Sequence, residues 1–349
     1  MTWNRQKTVR LTGALLAALA VVALIVGLRG GGGDEAPDAQ PTAEALETTA
    51  DAQQGTIETI AYYADANGYL VPVMRRIPEQ DGVARATLAL MVKNEQNDRE
   101  AARMGLSTLL PENCSIDIDI NSDGLARVDL GKEANEMASA EAESNMIAGV
   151  VATLGEFPTV NQVEFLIGGQ KLDSLKHGTD ISQPITPGAI NIESMDSVSE
   201  TFSANQITLY FPDESSRLMV PVTRMVYGES DVNTAVVELA KGARDEQLSN
   251  VLPEGCGIIG VTVNDGIATI NFTQEFIDIA EQSDGGRAAL KALVLTCTQF
   301  KGIKGVEIQV EGEKYDPGEQ TLSAPTFANV AEEIPTVGYQ QTATVLSFE

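Results

Sequence analysis

The sequence predicts an α+β protein, an α/β sandwich of two tandem repeats in which each repeat is a mixed sheet packed by two helices. The first observation is a corner, Leu109-Leu110-Pro111-Glu112-Asn113-Cys114, that returns as Val251-Leu252-Pro253-Glu254-Gly255-Cys256. A unit written twice implies a duplicated domain. The second is the pattern downstream of each corner: an alternating apolar strand, an Asp-Gly turn (Asp123-Gly124, Asp265-Gly266) and another strand. The third is size, since 349 residues exceed a typical single domain while an apolar content of 43% is ordinary for a folded chain.

Taken in order, the chain opens with an 18-residue uncharged apolar run, residues 11–28, preceded by Arg5, Lys7 and Arg10. Its length and flanking charge predict a transmembrane helix with a cytoplasmic N-terminus, residues 1–29 forming tip and anchor, and everything after it extracytoplasmic. A cleaved signal peptide is the rival reading, but Ala18-Leu19-Ala20 lies inside the run and no small-residue site comes cleanly after it. No cysteine stands near the segment, which argues against a lipid anchor. Residues 30–54, rich in Gly, Ala, Pro, Thr and acids, read as a flexible tether with a reach of about 25 to 30 Å.

The first repeat is expected over residues 55–182 and the second over 205–325, with 183–204 as linker and 326–349 as a polar, partly ordered tail. Residues 57–64 and 69–76 read as paired strands around Asp65, Asn67 and Gly68, and 207–211 with 218–225 as their second copy. Val71-Pro72-Val73 matches Val220-Pro221-Val222; proline cannot donate to a ladder, so these strands belong at a sheet edge or are interrupted there. Residues 83–94 and 232–241 have helical spacing, the second closed by Gly242.

Beyond the corner the two copies fall out of step. The second hairpin strands keep a spacing of 142 (Ala126, Val128, Leu130 against Ala268, Ile270, Phe272), but Ile116, Ile118, Ile120 align with Ile259, Val261, Val263 at 143. A one-residue slip reverses the buried face, so the first copy should have a longer turn and a shorter approach from its cysteine, and Cys114 and Cys256 need not point the same way. Met146, Ile147, Val150, Val151 and Leu154 form a helical stripe matched by Ala289, Leu290, Leu293, Val294 and Cys297, and the closing strands at Val163-Glu164-Phe165 and Val306-Glu307-Ile308 keep the same offset.

Function classes narrow by exclusion. With 23 Lys+Arg against 50 Asp+Glu, a net charge of −27 argues against nucleic acid, whose phosphates need a basic surface, and favours a protein partner. Asp117-Ile118-Asp119-Ile120-Asn121-Ser122-Asp123-Gly124 resembles a calcium loop, but Leu130 stands where a bidentate glutamate belongs, and the alternating isoleucines describe a strand with a polar face and a hairpin turn. His177 is the sole histidine, set in the turn-like Lys176-His177-Gly178-Thr179-Asp180, and reads as a surface loop residue. The three cysteines read as buried thiols, Cys297 on a core stripe, with a Cys114–Cys256 or Cys256–Cys297 disulfide as the alternative. No nucleophile elbow, Walker loop or dinucleotide fingerprint occurs. No catalytic, cofactor-binding or metal-ligating residue is therefore assigned, and no cofactor is expected.

The order Val-Pro-Val, helix, Leu-Pro-Glu, Asp-Gly-x-Ala, apolar helix, Val-Glu-Phe or Val-Glu-Ile, then Gly169, Lys171, Asp173 or Gly312, Lys314, Asp316 resembles the GerMN domain of GerM-like sporulation and germination proteins. The resemblance covers both copies, roughly residues 55 to 325. It implies domains similar to the ring-building motifs of secretion-system components, and a non-enzymatic assembly role in the channel-like complex between mother cell and forespore. Partners would be extracytoplasmic ring or channel proteins in the intermembrane space, with a homo-oligomer allowed for. Family members are usually lipid-anchored, where this chain is expected to use its membrane helix. The alternative is a binding module for a cell-wall or small-molecule ligand in germination or envelope maintenance; an enzyme with an unfamiliar site is the weakest reading.

Overall fold

The computed structural model describes residues 55–193 and 204–336, apart from Ser283, Gly285, residues 319–321 and Pro325. The expected anchor and tether, residues 1–54, and the end of the tail from residue 337 lie outside the described residues. Among the described residues no helix is long and apolar enough to cross a membrane.

Each repeat begins with a two-stranded antiparallel ribbon, β1 (Thr56–Ala64) with β2 (Leu70–Pro78) and β6 (Ala204–Pro212) with β7 (Met219–Tyr227). The first ribbon turns where Asp65 Oδ1 accepts the N–H groups of Asn67 and Tyr69, a side-chain bond that substitutes for a backbone turn. A second sheet comes next. In the first repeat it is β3 (Ile116–Ile120), β4 (Leu125–Leu130) and β5 (Gln162–Ile167); in the second it is β8 (Ile258–Asn264), β9 (Ile267–Phe272), β10 (Gly305–Val310) and β11 (Glu313–Lys314). Both are mixed, with β3–β4 and β8–β9 antiparallel and β4–β5 and β9–β10 parallel. The single mixed sheet expected for each repeat is thus divided into a ribbon and a sheet.

The division arises from the helices between them. In the first repeat α1 (Val83–Ala89) and α3 (Ala140–Gly155), and in the second α4 (Val232–Ala240) and α5 (Arg287–Thr298), touch both the ribbon and the sheet of their own repeat. Residues 292–297 of α5 are buried without a break, and a helix buried all round is one enclosed on both sides. The stripe read from sequence fills only one of those sides. On the other, Thr153 Oγ1 accepts the outer-edge N–H of Tyr62 at 3.1 Å and Thr296 Oγ1 that of Tyr210 at 3.3 Å, so the threonines satisfy strand donors that a second strand would otherwise have taken. Gly149 in α3 admits Leu109, whose Cδ1 lies 2.3 Å from where a Cβ would stand.

The first repeat also carries a helix the sequence reading omitted, α2 (Glu95–Met104), giving it three helices instead of two. The helix expected over residues 83–94 stops early because Val92 leaves it to bridge to Leu110, and Asn94 then caps α2 by accepting from Asn97 N at 2.9 Å. Only Ala101 and Met104 of α2 are buried, so its sequence shows no apolar stripe.

The hairpin offset resolves into two compensating changes. In the first copy the turn after Ile120 runs through Asn121, Ser122, Asp123 and Gly124; in the second, Asp265 (φ 52°) and Gly266 (φ 83°) form a two-residue turn with both residues left-handed. The second copy regains the residue in a bulge between Ile258 and Gly260 of β8, not in the approach from its cysteine. Cys114 and Cys256 consequently sit alike, each N–H donating to the corner proline's carbonyl and each thiol facing the next residue's carbonyl. The shorter approach expected from Cys114 is corrected: the bulge lies after the cysteine, so both approaches have the same length.

The two repeats meet where the outer edges of β2 and β7 face each other. Asn191 Oδ1 accepts from Leu70 N at 2.8 Å while its Nδ2 donates to Leu70 O and Pro221 O. Asn329 repeats the pattern: Oδ1 accepts from Met219 N at 2.8 Å and Nδ2 donates to Met219 O and Pro72 O. The backbone around each asparagine then pairs with the other repeat's strand, Ile192 with Thr223 and Val330 with Met74. Pro72 and Pro221 stand at the middle of this seam, uninterrupted in their strands, where the missing N–H leaves no donor unpaired. Residues 190–193 and 326–336 are therefore fastening straps; Asn329, Ala331 and Ile334 are buried where a polar, partly ordered tail was expected.

Asn329 is 3% exposed, whereas Asn191 is half-buried and open to water. Asn329→Ala, which strands a buried N–H and two carbonyls, is expected to lower unfolding free energy by about 3 kcal/mol and Asn191→Ala by about 1 kcal/mol. Urea unfolding measures both; equal losses would show that burial does not set the strength of the clamp.

Candidate functional site

The residues that sequence reading singled out occupy separate places. Asp117 and Asp119 lie on the exposed face of β3, and Asn121 Oδ1 accepts from Asp123 N and Leu125 N to shape the turn, as expected of a solvated strand and hairpin. Among the described residues no group of three or more His, Cys, Asp or Glu side chains converges as a metal site. All three cysteines are free thiols, and burial pushes Cys114 and Cys256 up to about 11 and Cys297 up to about 12, keeping them protonated at neutral pH.

His177 belongs to a loop anchored from below. Glu143, in the first turns of α3, is fully buried and accepts the backbone N–H groups of His177 and Thr179, both at 2.9 Å, while His177 Nε2 meets Met137 O at 2.8 Å. Burial alone raises a carboxyl's pKa, but the two N–H donors outweigh it and hold Glu143 below the ordinary range. The position corresponding to Glu143 in the second repeat is Gly286, so this arrangement is not duplicated. It positions a loop; nothing in it presents a paired nucleophile and base.

Two clefts open at the ends of the seam. One, of about 560 Å³, is lined by Tyr69, Asn191, Glu193 and Asp245. Its principal acids are engaged. Tyr69 donates to Asp245, and Glu193 receives the buried Arg224 fork, Nη2 to Oε1 at 2.9 Å and Nε to Oε2 at 2.5 Å. Arg224 is 1% exposed and also donates to the carbonyls of Glu238 and Gly242, which supplies the partners a buried charge requires.

The other cleft, of about 470 Å³, lies between α5, the strap containing Asn329 and the start of β7. Three cations line it, Arg217, Arg287 and Lys291, and none forms an ion pair among the described residues. Arg217 Nη2 donates to Met104 O at 2.9 Å, but its Nε is buried with no hydrogen-bond partner among the described residues. Burial lowers the pKa of Lys291, with Glu333 acting against the shift. Asp284 is occupied in capping α5, accepting from Gly286 N at 2.9 Å and from Ala288 N. Sequence reading missed this cleft because its cations are spread over residues 217–291 and only the fold gathers them. The straps had left a signal: Ile190-Asn191-Ile192 and Ala328-Asn329-Val330 are the same apolar-Asn-apolar triplet after each repeat.

The sheet edges differ between repeats as well. Strand β3 ends its sheet with Asp117 and Asp119 exposed, which guards an open edge, whereas the matching edge strand β8 exposes Ile259 (51%) and Val263 (46%).

Glu143→Gln is expected to lower the urea midpoint at neutral pH, with the gap from the parent narrowing on acidification. A carboxyl whose folded pKa lies below its unfolded value stabilises the fold above the unfolded pKa and loses that contribution as pH falls through the folded one. A gap that stays constant from about pH 7 to about pH 3 contradicts the assignment.

Comparison with known proteins agrees with the duplicated architecture. A family model described as Germane, sporulation and spore germination, matches residues 60–173 and 208–316, well over half of the chain. The spore germination protein GerM of Bacillus subtilis (strain 168) is 26% identical over 298 residues, covering 80% of each chain. A solved structure of the tandem GerMN domains of that sporulation protein matches with a TM-score of 0.67 and 26% identity, over 79% of this chain and 99% of the other. With both repeats matched and the tandem fold shared, the chain belongs to the Germane family of sporulation and spore germination proteins.

Proposed function

We propose that this protein is a membrane-anchored, extracytoplasmic, non-enzymatic scaffold of sporulation that supports assembly of a ring or channel complex between mother cell and forespore. The observation that carries the reading is the open apolar edge of the second repeat. Ile259 and Val263 lie on β8, and Ile267 on the adjoining β9 is 38% exposed, whereas the equivalent edge of the first repeat is charged. An unguarded apolar edge invites pairing with another chain. The duplication supports the same reading. Core and turn residues recur in both copies, while the buried carboxylate, the histidine and the seam cations each occur once. The acidic surface favours a protein partner over anionic polymers, and the straps hold both repeats as one body. The apolar run at residues 11–28 would present that body outside the membrane.

Photo-cross-linking side chains placed at Val263 and at Asp119 in sporulating cells test the reading. Cross-links to ring or channel proteins are expected from position 263, with few from 119, and Val263→Asp should reduce recovery about tenfold, equivalent to about 1.4 kcal/mol, at unchanged thermal stability. Equal cross-linking at both positions, or a hydrolytic activity abolished by His177→Ala, contradicts it.

A further inference from the structure

We propose that the cleft between α5 and the C-terminal strap binds a ligand that presents one carboxylate on an apolar body. The inference is independent of the assembly reading and concerns a different face of the molecule. Three cations converge there in a chain that has 23 basic residues against 50 acidic ones, so their grouping runs against composition. Several basic residues elsewhere on this surface are ion-paired, as Arg127 is with Glu164 and Lys314 with Glu307. Among the described residues Arg217, Arg287 and Lys291 form no ion pair, and they are gathered in one cleft.

Arg217 also has an unused donor: its Nε is buried and, among the described residues, without a hydrogen-bond partner, a cost that a small shift of the guanidinium toward an acceptor in the cleft would recover. Lys291 points to the same conclusion, since a nearby anion would restore the charged form that burial disfavours.

Charge balance selects the anion. The lining carries Arg217, Arg287 and Lys291 against Asp284 and Glu333, leaving a local excess of one positive charge. A carboxylate neutralises that excess; a phosphate, at about −1.5 to −2 near neutral pH, overshoots it. The rest of the lining, including Leu218, Met219, Leu290, Val330 and Ile334, is apolar and suits a hydrocarbon body, and the volume lies within the range of small-molecule sites.

The test uses the purified full-length chain and amine acylation read residue by residue by mass spectrometry. The probes are N-acetyl-leucine, its neutral amide N-acetyl-leucinamide, and inorganic phosphate. N-acetyl-leucine is expected to slow acylation of Lys291 severalfold while leaving the exposed Lys241 unchanged, and the amide and phosphate to protect much less. Arg287→Gln, an exposed position whose replacement leaves the core intact, should weaken that protection about tenfold, equivalent to about 1.4 kcal/mol, with an unaltered circular dichroism spectrum. Absence of protection, equal protection by the amide or by phosphate, or undiminished protection in Arg287→Gln overturns the proposal.

Discussion

The reciprocal asparagine clamp is the interaction on which the rest of the molecule depends. A two-stranded ribbon has two outer edges of unpaired backbone groups, and such edges are either covered or become sites of association. Here the inner helix threonines take donors from one edge, and Asn191 and Asn329 take the donors and acceptors of the other. Each asparagine chelates the N–H and C=O of its own repeat's strand, then reaches a proline carbonyl in the other repeat. Because the same few atoms close both ribbons, neither repeat completes its own hydrogen bonding alone.

This arrangement explains why divergence is concentrated away from the seam. The helix α2, the carboxylate-anchored loop at Glu143 and the bulge in β8 are each present once. The ribbons, the prolines and the asparagine triplets are present twice. A duplicated fold with a common fastening can vary its outer surfaces independently, and the charged edge of β3 beside the apolar edge of β8 is the result.

Most strands and the inner helices were legible in the sequence because alternation and a 3.6-residue stripe survive in residues such as Ile116, Ile118 and Ile120 or Met146, Val150 and Leu154. Four features were not. Helix α2 has only two buried residues, so its pattern carries no stripe; its capping residues, Asn94 and Gly105, were the available signal. The separation into ribbon and sheet was hidden because an inner helix buries polar Thr153 and Thr296, which read as surface positions. The straps looked like linker and tail because their binding chemistry resides in single asparagines, whose partners in the first repeat lie 121 and 257 residues away. The cleft was beyond reach for the same reason.

The crossed paths of the two straps also bear on synthesis. The strap that covers the edge of the first repeat at Pro72 and Met74 is residues 329–331, close to the end of the chain. A ribosome completes the first repeat long before it supplies that cover, so through the translation of the second repeat the outer edge of β2 is open beyond Leu70, where Asn191 binds. The proline at the centre of that edge then has a temporal as well as a structural role. A strand that cannot donate at its midpoint is a poor template for mispairing during the interval in which it waits for its partner.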